Sequence, residues 1–284
     1  MQVITTIAEL RETLNAHRAA CQSVGFVPTM GALHDGHKSL VLASVPENDI
    51  TVVSIFVNPL QFAPGEDLEA YPRDLDADVA ICDAAGADYV FAPSVAEMYP
   101  EPIETTVSLT GVSEPLDGQS RPTHFSGVAT VVTKLFSIVG SCSAYFGEKD
   151  FQQLAIITKM SLDLSLDVRV VGCPIHRESD GLAMSSRNIY LTPAERAEAV
   201  VLNQALSKAV AAIDDGETDP AEVQKIMTDH IATAETGTLD YAEVVDARTL
   251  LTPDVLAGEL RLLVAVQFGK ARLIDNTGYP RSLR

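Results

Sequence analysis

The segment Ile50-Thr51-Val52-Val53-Ser54-Ile55-Phe56-Val57 constrains this chain more than any other, being a continuous apolar run rich in β-branched residues. It lacks the polar alternation of a strand with one wet face, so it must be covered on both sides, which calls for a parallel sheet with helices on each face. The flanking sequence supplies those helices. Thr6-Ile7-Ala8-Glu9 has the form of a capping box, and Ile7, Leu10 and Leu14 follow at helical spacing, predicting a first helix that ends near Ala20. A short strand is expected over 23–28 and a helix from about Gly36 through Val45. Helical stretches over 75–85, 127–139 and 151–164 then alternate with strands over 89–92, 144–146 and 168–171. Strand and helix in alternation define an α/β doubly wound, Rossmann-like parallel sheet over residues 1–175.

Beyond Cys173 the pattern changes. A polar loop runs over 177–188, Thr192-Pro193-Ala194-Glu195 caps what reads as one long helix, and Asp219-Pro220-Ala221-Glu222 repeats the device. Short strands expected over 241–245, 261–266 and 271–274 complete a smaller α+β domain over 176–284. Two domains suit a chain of 284 residues. Its 20 basic and 39 acidic side chains give a net charge of -19, which argues against a surface that tracks nucleic-acid phosphates. An anionic ligand must therefore find a local basic pocket. Cys21, Cys82, Cys142 and Cys173 form no CxxC pair, so they read as reduced, buried thiols of a cytoplasmic protein. The first residues lack the basic flank and apolar core of a signal peptide, and no apolar run reaches the length of a membrane span.

Several constellations carry chemistry. Pro28-Thr29-Met30-Gly31-Ala32-Leu33-His34-Asp35-Gly36-His37 follows a predicted strand and opens a helix. At that place in a doubly wound sheet, first-turn amides and imidazoles can meet phosphate, while Gly36 lets the backbone come close. Gly147-Glu148-Lys149-Asp150 stands at a second strand-to-helix junction, where Lys149 can neutralise phosphate charge; alone it equally suits a surface turn. Asp180-Gly181-Leu182-Ala183-Met184-Ser185-Ser186-Arg187-Asn188 combines glycine, paired hydroxyls and a guanidinium, as a loop closing over a triphosphate would, or as a polar linker would. In Asn58-Pro59-Leu60-Gln61-Phe62 the Gln61 amide suits a ligand that carries hydroxyls as well as a carboxylate. Arg121-Pro122-Thr123-His124-Phe125 places a guanidinium and an imidazole before a helix.

These motifs, together with Phe146-Gly147-Glu148-Lys149-Asp150-Phe151-Gln152-Gln153-Leu154, resemble the pantothenate synthetases, a likeness that runs from residue 1 to about Asn276. The resemblance implies an ATP-dependent ligase, in which pantoate attacks the α-phosphate of ATP and β-alanine then displaces AMP from pantoyl adenylate. It places Met30, Gly31, Ala32, Leu33, His34, Asp35, Gly36 and His37 along ATP, with His34, His37 and Lys149 acting on the reacting phosphate. Gly147, Glu148, Asp150, Met184, Ser185, Ser186 and Arg187 would hold ribose and phosphates. Gln61, Gln153, Asn58 and Arg121 would line the pantoate and β-alanine side. His176 stands where the likeness leads one to expect an apolar residue against adenine. Asp74-Leu75-Asp76-Ala77-Asp78 matches loosely a region linked to Mg²⁺, and the ion is expected to travel with ATP, without protein ligands. A homodimer is expected on the same ground.

The chemical logic of the residue types agrees. A carboxylate attacking a triphosphate brings two anions together, so the site needs positive charge and oriented donors more than a strong base. Two other readings use the same His-x-Gly-His: a nucleotidyltransferase that releases a nucleotide conjugate, and a catalytically silent nucleotide-binding module. The first calls for a basic acceptor pocket where this sequence offers Gln61 and Gln153; the second would tolerate loss of His34, His37 or Lys149, all of which are present.

Overall fold

In the computed structural model, which describes residues 1–63 and 68–280, the apolar run forms a strand over Ile50–Ile55 inside a six-stranded, all-parallel sheet. In chain order the elements are β1 (Gln2–Ile4), α1 (Ile7–Ala19), β2 (Val24–Thr29), α2 (Asp35–Ser44), β3 (Ile50–Ile55), α3 (Leu75–Ala85) and β4 (Tyr89–Phe91). Then follow α4 (Val95–Met98), α5 (Asp117–Ser120), α6 (His124–Val139), β5 (Cys142–Gly147), α7 (Phe151–Asp163) and β6 (Val168–Cys173). The strand order is β1-β4-β3-β2-β5-β6. Neighbouring residues of β3 enter different cores, as a strand covered on both faces requires: Val52 packs in a cluster with Leu14 of α1 and Val132 of α6, Val53 in one with Val41 of α2 and Cys82 of α3.

The order of the strands locates the ligand crevice. From β2 the chain builds outward through β3 to β4, then returns to place β5 against the other side of β2. Where the winding reverses, the helices leave opposite faces, and the gap at the carboxyl ends of β2 and β5 is open to a ligand. Two of the sequence motifs follow directly from those strand ends.

Contacts divide the chain into two compact units, Met1–Glu148 with Gln152–Pro174, and Lys149–Phe151 with the residues from Ile175 onward. The second contains α8 (Pro193–Glu198), α9 (Val201–Asp214), α10 (Pro220–Ile231) and an antiparallel sheet of β7 (Gly237–Asp246), β8 (Leu260–Phe268) and β9 (Ala271–Tyr279). Leu202, Leu206 and Val210 of α9 and Val223, Met227 and Ile231 of α10 pack with Leu262, Val264 and Val266 of β8, an α+β layer.

Some elements differ from expectation. The long helix after Thr192 breaks at Ala199 and Val200, because α8 buries none of its residues whereas α9 turns a full apolar face to the core. The strand β1 has no sequence signature, since of its three residues only Ile4 is buried. The helix α6 starts at His124, earlier than the periodicity suggests. Cys21 is exposed, contrary to the expectation of buried thiols; burial pushes the Cys82 and Cys142 thiols up to about 12. Among the described residues no helix is long and apolar enough to cross a membrane.

Candidate active site

The turn between β2 and α2 is built around two consecutive residues in the left-handed region, Gly31 (φ 87) and Ala32 (φ 51). Gly31 is required twice over, since a Cβ there would lie 2.9 Å from Asp78 Oδ2. The Asp78 carboxylate, brought in by α3 and only 3% exposed, accepts from the amides of Ala32 (3.1 Å) and Leu33 (2.7 Å). Burial raises its carboxyl above the usual range, the two amides holding it partly down. The Gly31 amide donates to Thr29 Oγ1 and the Lys38 amide to the His34 carbonyl. The amides of this loop and of the first turn of α2 are thus largely committed within the protein. Donors to a phosphate must come from side chains, a correction to the expected backbone cradle.

His34 and His37 are those side chains. His34 is the N-cap of α2 and its Nδ1 accepts from the Gly36 amide at 3.1 Å; His37 Nδ1 accepts from the His34 amide at 3.4 Å. A backbone N–H can only donate, so in both rings Nδ1 carries the lone pair and Nε2 carries the proton. The ring centroids are 4.2 Å apart. The result is a capping box made of imidazoles, presenting two Nε2–H donors at the carboxyl end of β2.

Gln61 is brought to the same turn: its Nε2 donates to Met30 Sδ at 2.9 Å, and its carbonyl meets His124 Nδ1 at 2.9 Å. Asn58, 1% exposed, has its side chain spent inside the protein. Its Oδ1 accepts from the Leu60 amide and Tyr99 hydroxyl, and its Nδ2 donates to Gln61 Oε1 and the Gly127 carbonyl. That fills an amide's capacity, so Asn58 supports Gln61 and is corrected from a substrate contact. Gly127 permits this approach, since a Cβ there would lie 2.1 Å from the Leu60 carbonyl. The adjacent glutamines on α7 divide in the same way. Gln152 is buried, accepting from the Asp117 amide and donating to the Val112 and Pro115 carbonyls, whereas Gln153 is half-buried with no side-chain hydrogen bond among the described residues. Arg121 caps the carboxyl end of α5, its amide donating to the Asp117 carbonyl.

At the end of β5 a Cβ on Gly147 would meet open space, and Glu148, Lys149 and Asp150 form a 3-10 turn. Lys149 Nζ lies 3.7 Å from Asp150 Oδ1. The Lys149 carbonyl accepts from Asn276 Nδ2 at 2.8 Å, and Asn276 Oδ1 in turn accepts from Arg261 Nε at 2.7 Å. The loop after Ile175 is ordered by its own bonds: the Met184 amide reaches the His176 carbonyl, Arg177 grips Asp275 at 2.6 and 2.8 Å, and Arg196 pairs with Glu178 and Asp180. His176 is exposed. Ser185 caps the 3-10 turn Ser186–Tyr190, accepting from the Arg187 amide at 3.2 Å, which leaves its O–H able to donate. Sequence reasoning missed Asp78, Tyr99 and Asn276. Asp78 had a signal: it shares a helical face with the buried Cys82 and Ala85.

Among the described residues no group of three His, Cys, Asp or Glu side chains could hold a metal, and both oxygens of Asp78 are turned to amides.

A doubly wound parallel sheet with a His-x-Gly-His imidazole pair at its switch point defines a nucleotide-binding enzyme of the nucleotidyltransferase type. The family model for pantoate-beta-alanine ligase matches residues 2–278, and the chain belongs to that family. It is 52% identical over 276 residues to the pantothenate synthetase of Acetivibrio thermocellus, covering 97% of this chain and 98% of the relative. The pantothenate synthetase of Thermotoga neapolitana is 49% identical over 277 residues, covering 98% and 99%. Among solved structures, pantothenate synthetase from Thermus thermophilus superposes with a TM-score of 0.93 at 46% identity, covering 98% and 99%. Pantoate-beta-alanine ligase from Francisella tularensis, complexed with beta-gamma ATP and beta-alanine, gives 0.78 at 33% identity, covering 98% and 97%.

Proposed function

We infer that this protein condenses (R)-pantoate with β-alanine at the expense of ATP, giving pantothenate, AMP and diphosphate through pantoyl adenylate. The observation that carries this reading is the pair of outward Nε2–H donors at the switch point, in a chain of the pantoate-beta-alanine ligase family. The pantoate carboxylate attacks the α-phosphate, diphosphate leaves, and the amine of β-alanine then attacks the acyl carbon and releases AMP. His34 and His37 donate to the phosphate oxygens on which charge grows, and Lys149, Arg187, Ser185 and Ser186 hold the remaining phosphates. One oriented donor is worth about 3 kcal/mol where charge develops away from water. Gln61 and Gln153 hold pantoate, with β-alanine bordering Gln61. Mg²⁺ comes with ATP and screens the triphosphate.

The acceptor side favours this reaction over release of a nucleotide conjugate, because Gln61 and Gln153 are neutral amides and offer no charge to an acceptor phosphate. Cys82 and Cys142, buried with raised thiols, are poor nucleophiles, consistent with an adenylate bound without a covalent tether. The test is isotope exchange. Labelled diphosphate should enter ATP with pantoate present and β-alanine absent; exchange that required β-alanine would sink the order, and mass spectrometry must find pantothenate and AMP once β-alanine is added. We further propose a cytoplasmic homodimer. Light scattering should give about twice 30.4 kDa, and a monomer at micromolar concentration would refute it.

A further inference from the structure

Gln61 owes its direction to a chain of hydrogen bonds that the backbone orients from both ends. Asn58 Oδ1 lies 3.3 Å from the Leu60 amide, which can only donate, and Asn58 Nδ2 lies 3.2 Å from the Gly127 carbonyl, which can only accept. Turning the Asn58 amide over would set donor against donor and acceptor against acceptor, so one orientation survives. The second hydrogen of Nδ2 then points to Gln61 Oε1 at 3.1 Å. Gln61 therefore spends its acceptor inward and turns its Nε2 towards Met30 Sδ at 2.9 Å. A thioether is a weak acceptor, and a substrate oxygen would be a far better one.

Tyr99, at the end of α4, completes the chain. Its hydroxyl lies 2.9 Å from Asn58 Oδ1 and supplies that oxygen's second donor. The ring is held edge-on against Phe56, with centroids 5.9 Å apart, and Lys134 Nζ lies 5.2 Å from its centroid. Burial pushes the phenol up to about 12, so it remains an O–H at any working pH.

We propose that Tyr99 and Asn58 are positioning residues that fix Gln61 as a one-way donor, so that its subsite takes a lone-pair oxygen of the acid substrate and turns away an ammonium. The inference rests on the reading that Gln61 faces pantoate. It gives the relay a specific task in a two-substrate enzyme: pantoate offers carboxylate and hydroxyl oxygens, whereas the amine end of β-alanine arrives as an ammonium, which cannot accept. The polarity of one amide thus keeps the second substrate's amine out of the first substrate's place.

The experiment measures KM and kcat for pantoate by diphosphate exchange, and KM for ATP, in Gln61→Ala, Gln61→Glu, Asn58→Asp and Tyr99→Phe, with a thermal melt of each. Gln61→Glu and Asn58→Asp, which replace donors by oxygens, should raise the pantoate KM at least about tenfold while the ATP KM stays within twofold. Tyr99→Phe, which removes one oxygen, should raise it about three- to tenfold and should add nothing in the Gln61→Ala background. A pantoate KM untouched by Gln61→Ala would refute the placement of pantoate. A raised KM in Gln61→Ala with wild-type values in both Asn58→Asp and Tyr99→Phe, or with a Tyr99→Phe effect that persists without Gln61, would overturn the relay alone. Should Tyr99→Phe melt at assay temperature, Asn58→Asp and Gln61→Glu decide the matter.

Discussion

Replacing Asp78 by Asn should disable adenylate formation while leaving the protein folded. Its carboxylate holds two loop amides, at 3.1 and 2.7 Å, across a turn whose Gly31 and Ala32 sit in the left-handed region. A hydrogen bond to a charged group contributes about 1.5–3 kcal/mol. An asparagine keeps one oxygen for one amide and faces the other with an NH₂, so one bond weakens and one is lost, a change of about 2–3 kcal/mol. If those bonds order the turn, the exchange rate falls about 30- to 150-fold. The assay is ATP–diphosphate exchange with pantoate, against Asp83→Asn on the exposed side of the same helix as control. An exchange rate for Asp78→Asn within twofold of wild type would show that the turn does not depend on this carboxylate.

The same residue sets opposite signs for activity and stability. Its carboxyl is raised chiefly by burial, so the folded state takes up a proton more readily than the unfolded one. The stability it contributes is full below the unfolded pKa and is lost as pH rises through the raised folded value. The turn, by contrast, wants the ionised form, so exchange activity should fall on the acid side while the melting temperature does not follow, and Asp78→Asn should remove that divergence.

Other expectations concern neighbouring parts. His34→Asn keeps an N-cap for α2 but removes an Nε2–H, so exchange should fall about 100-fold with an unchanged melt, whereas His34→Ala should also lose about 1 kcal/mol in urea denaturation. Gly127→Ala drives a methyl into the Leu60 carbonyl and should cost about 1–3 kcal/mol by the same denaturation, with wild-type stability refuting the close approach. Asn276→Ala removes the bond to the Lys149 carbonyl and should raise the ATP KM about fivefold without altering that for pantoate. Arg187→Ala should weaken ATP use about a hundredfold, with Arg248→Ala as control; equal ATP titrations would return its loop to the status of a connector.

What the sequence disclosed follows from what leaves a local mark. The run over residues 50–55 is apolar because both faces of β3 are covered, and His34 and His37 stand out because they cap a helix just after a strand. Asp78 reads with its neighbours as part of an acidic stretch, since its partners are backbone amides more than forty residues away, and amides have no signature in a side-chain pattern. Tyr99 and Asn276 escape for the same reason: each acts through one polar atom on a partner remote in the chain. Asn58 and Gln61 look alike as ligands because both are polar amides at a strand end. Only burial and hydrogen-bond direction separate the one that supports from the one that is supported.

The three residues of β1 have a weight out of proportion to their number. Their pairing with β4 is closed by the Gln2 amide on the Asp88 carbonyl at 3.0 Å and the Ala92 amide on the Ile4 carbonyl at 2.9 Å, and it screens the side of a strand whose Val90 and Phe91 are fully buried. With β1 gone, β4 would become the margin of the sheet, a row of open backbone groups set in apolar surroundings and ready to pair with another molecule. Because β1 is short and begins with the exposed Gln2 and Val3, it offers little template of its own. Trimming residues 1–5 should therefore cause trouble first as self-association during expression and concentration, well before it disturbs the distant carboxyl ends where the imidazoles stand.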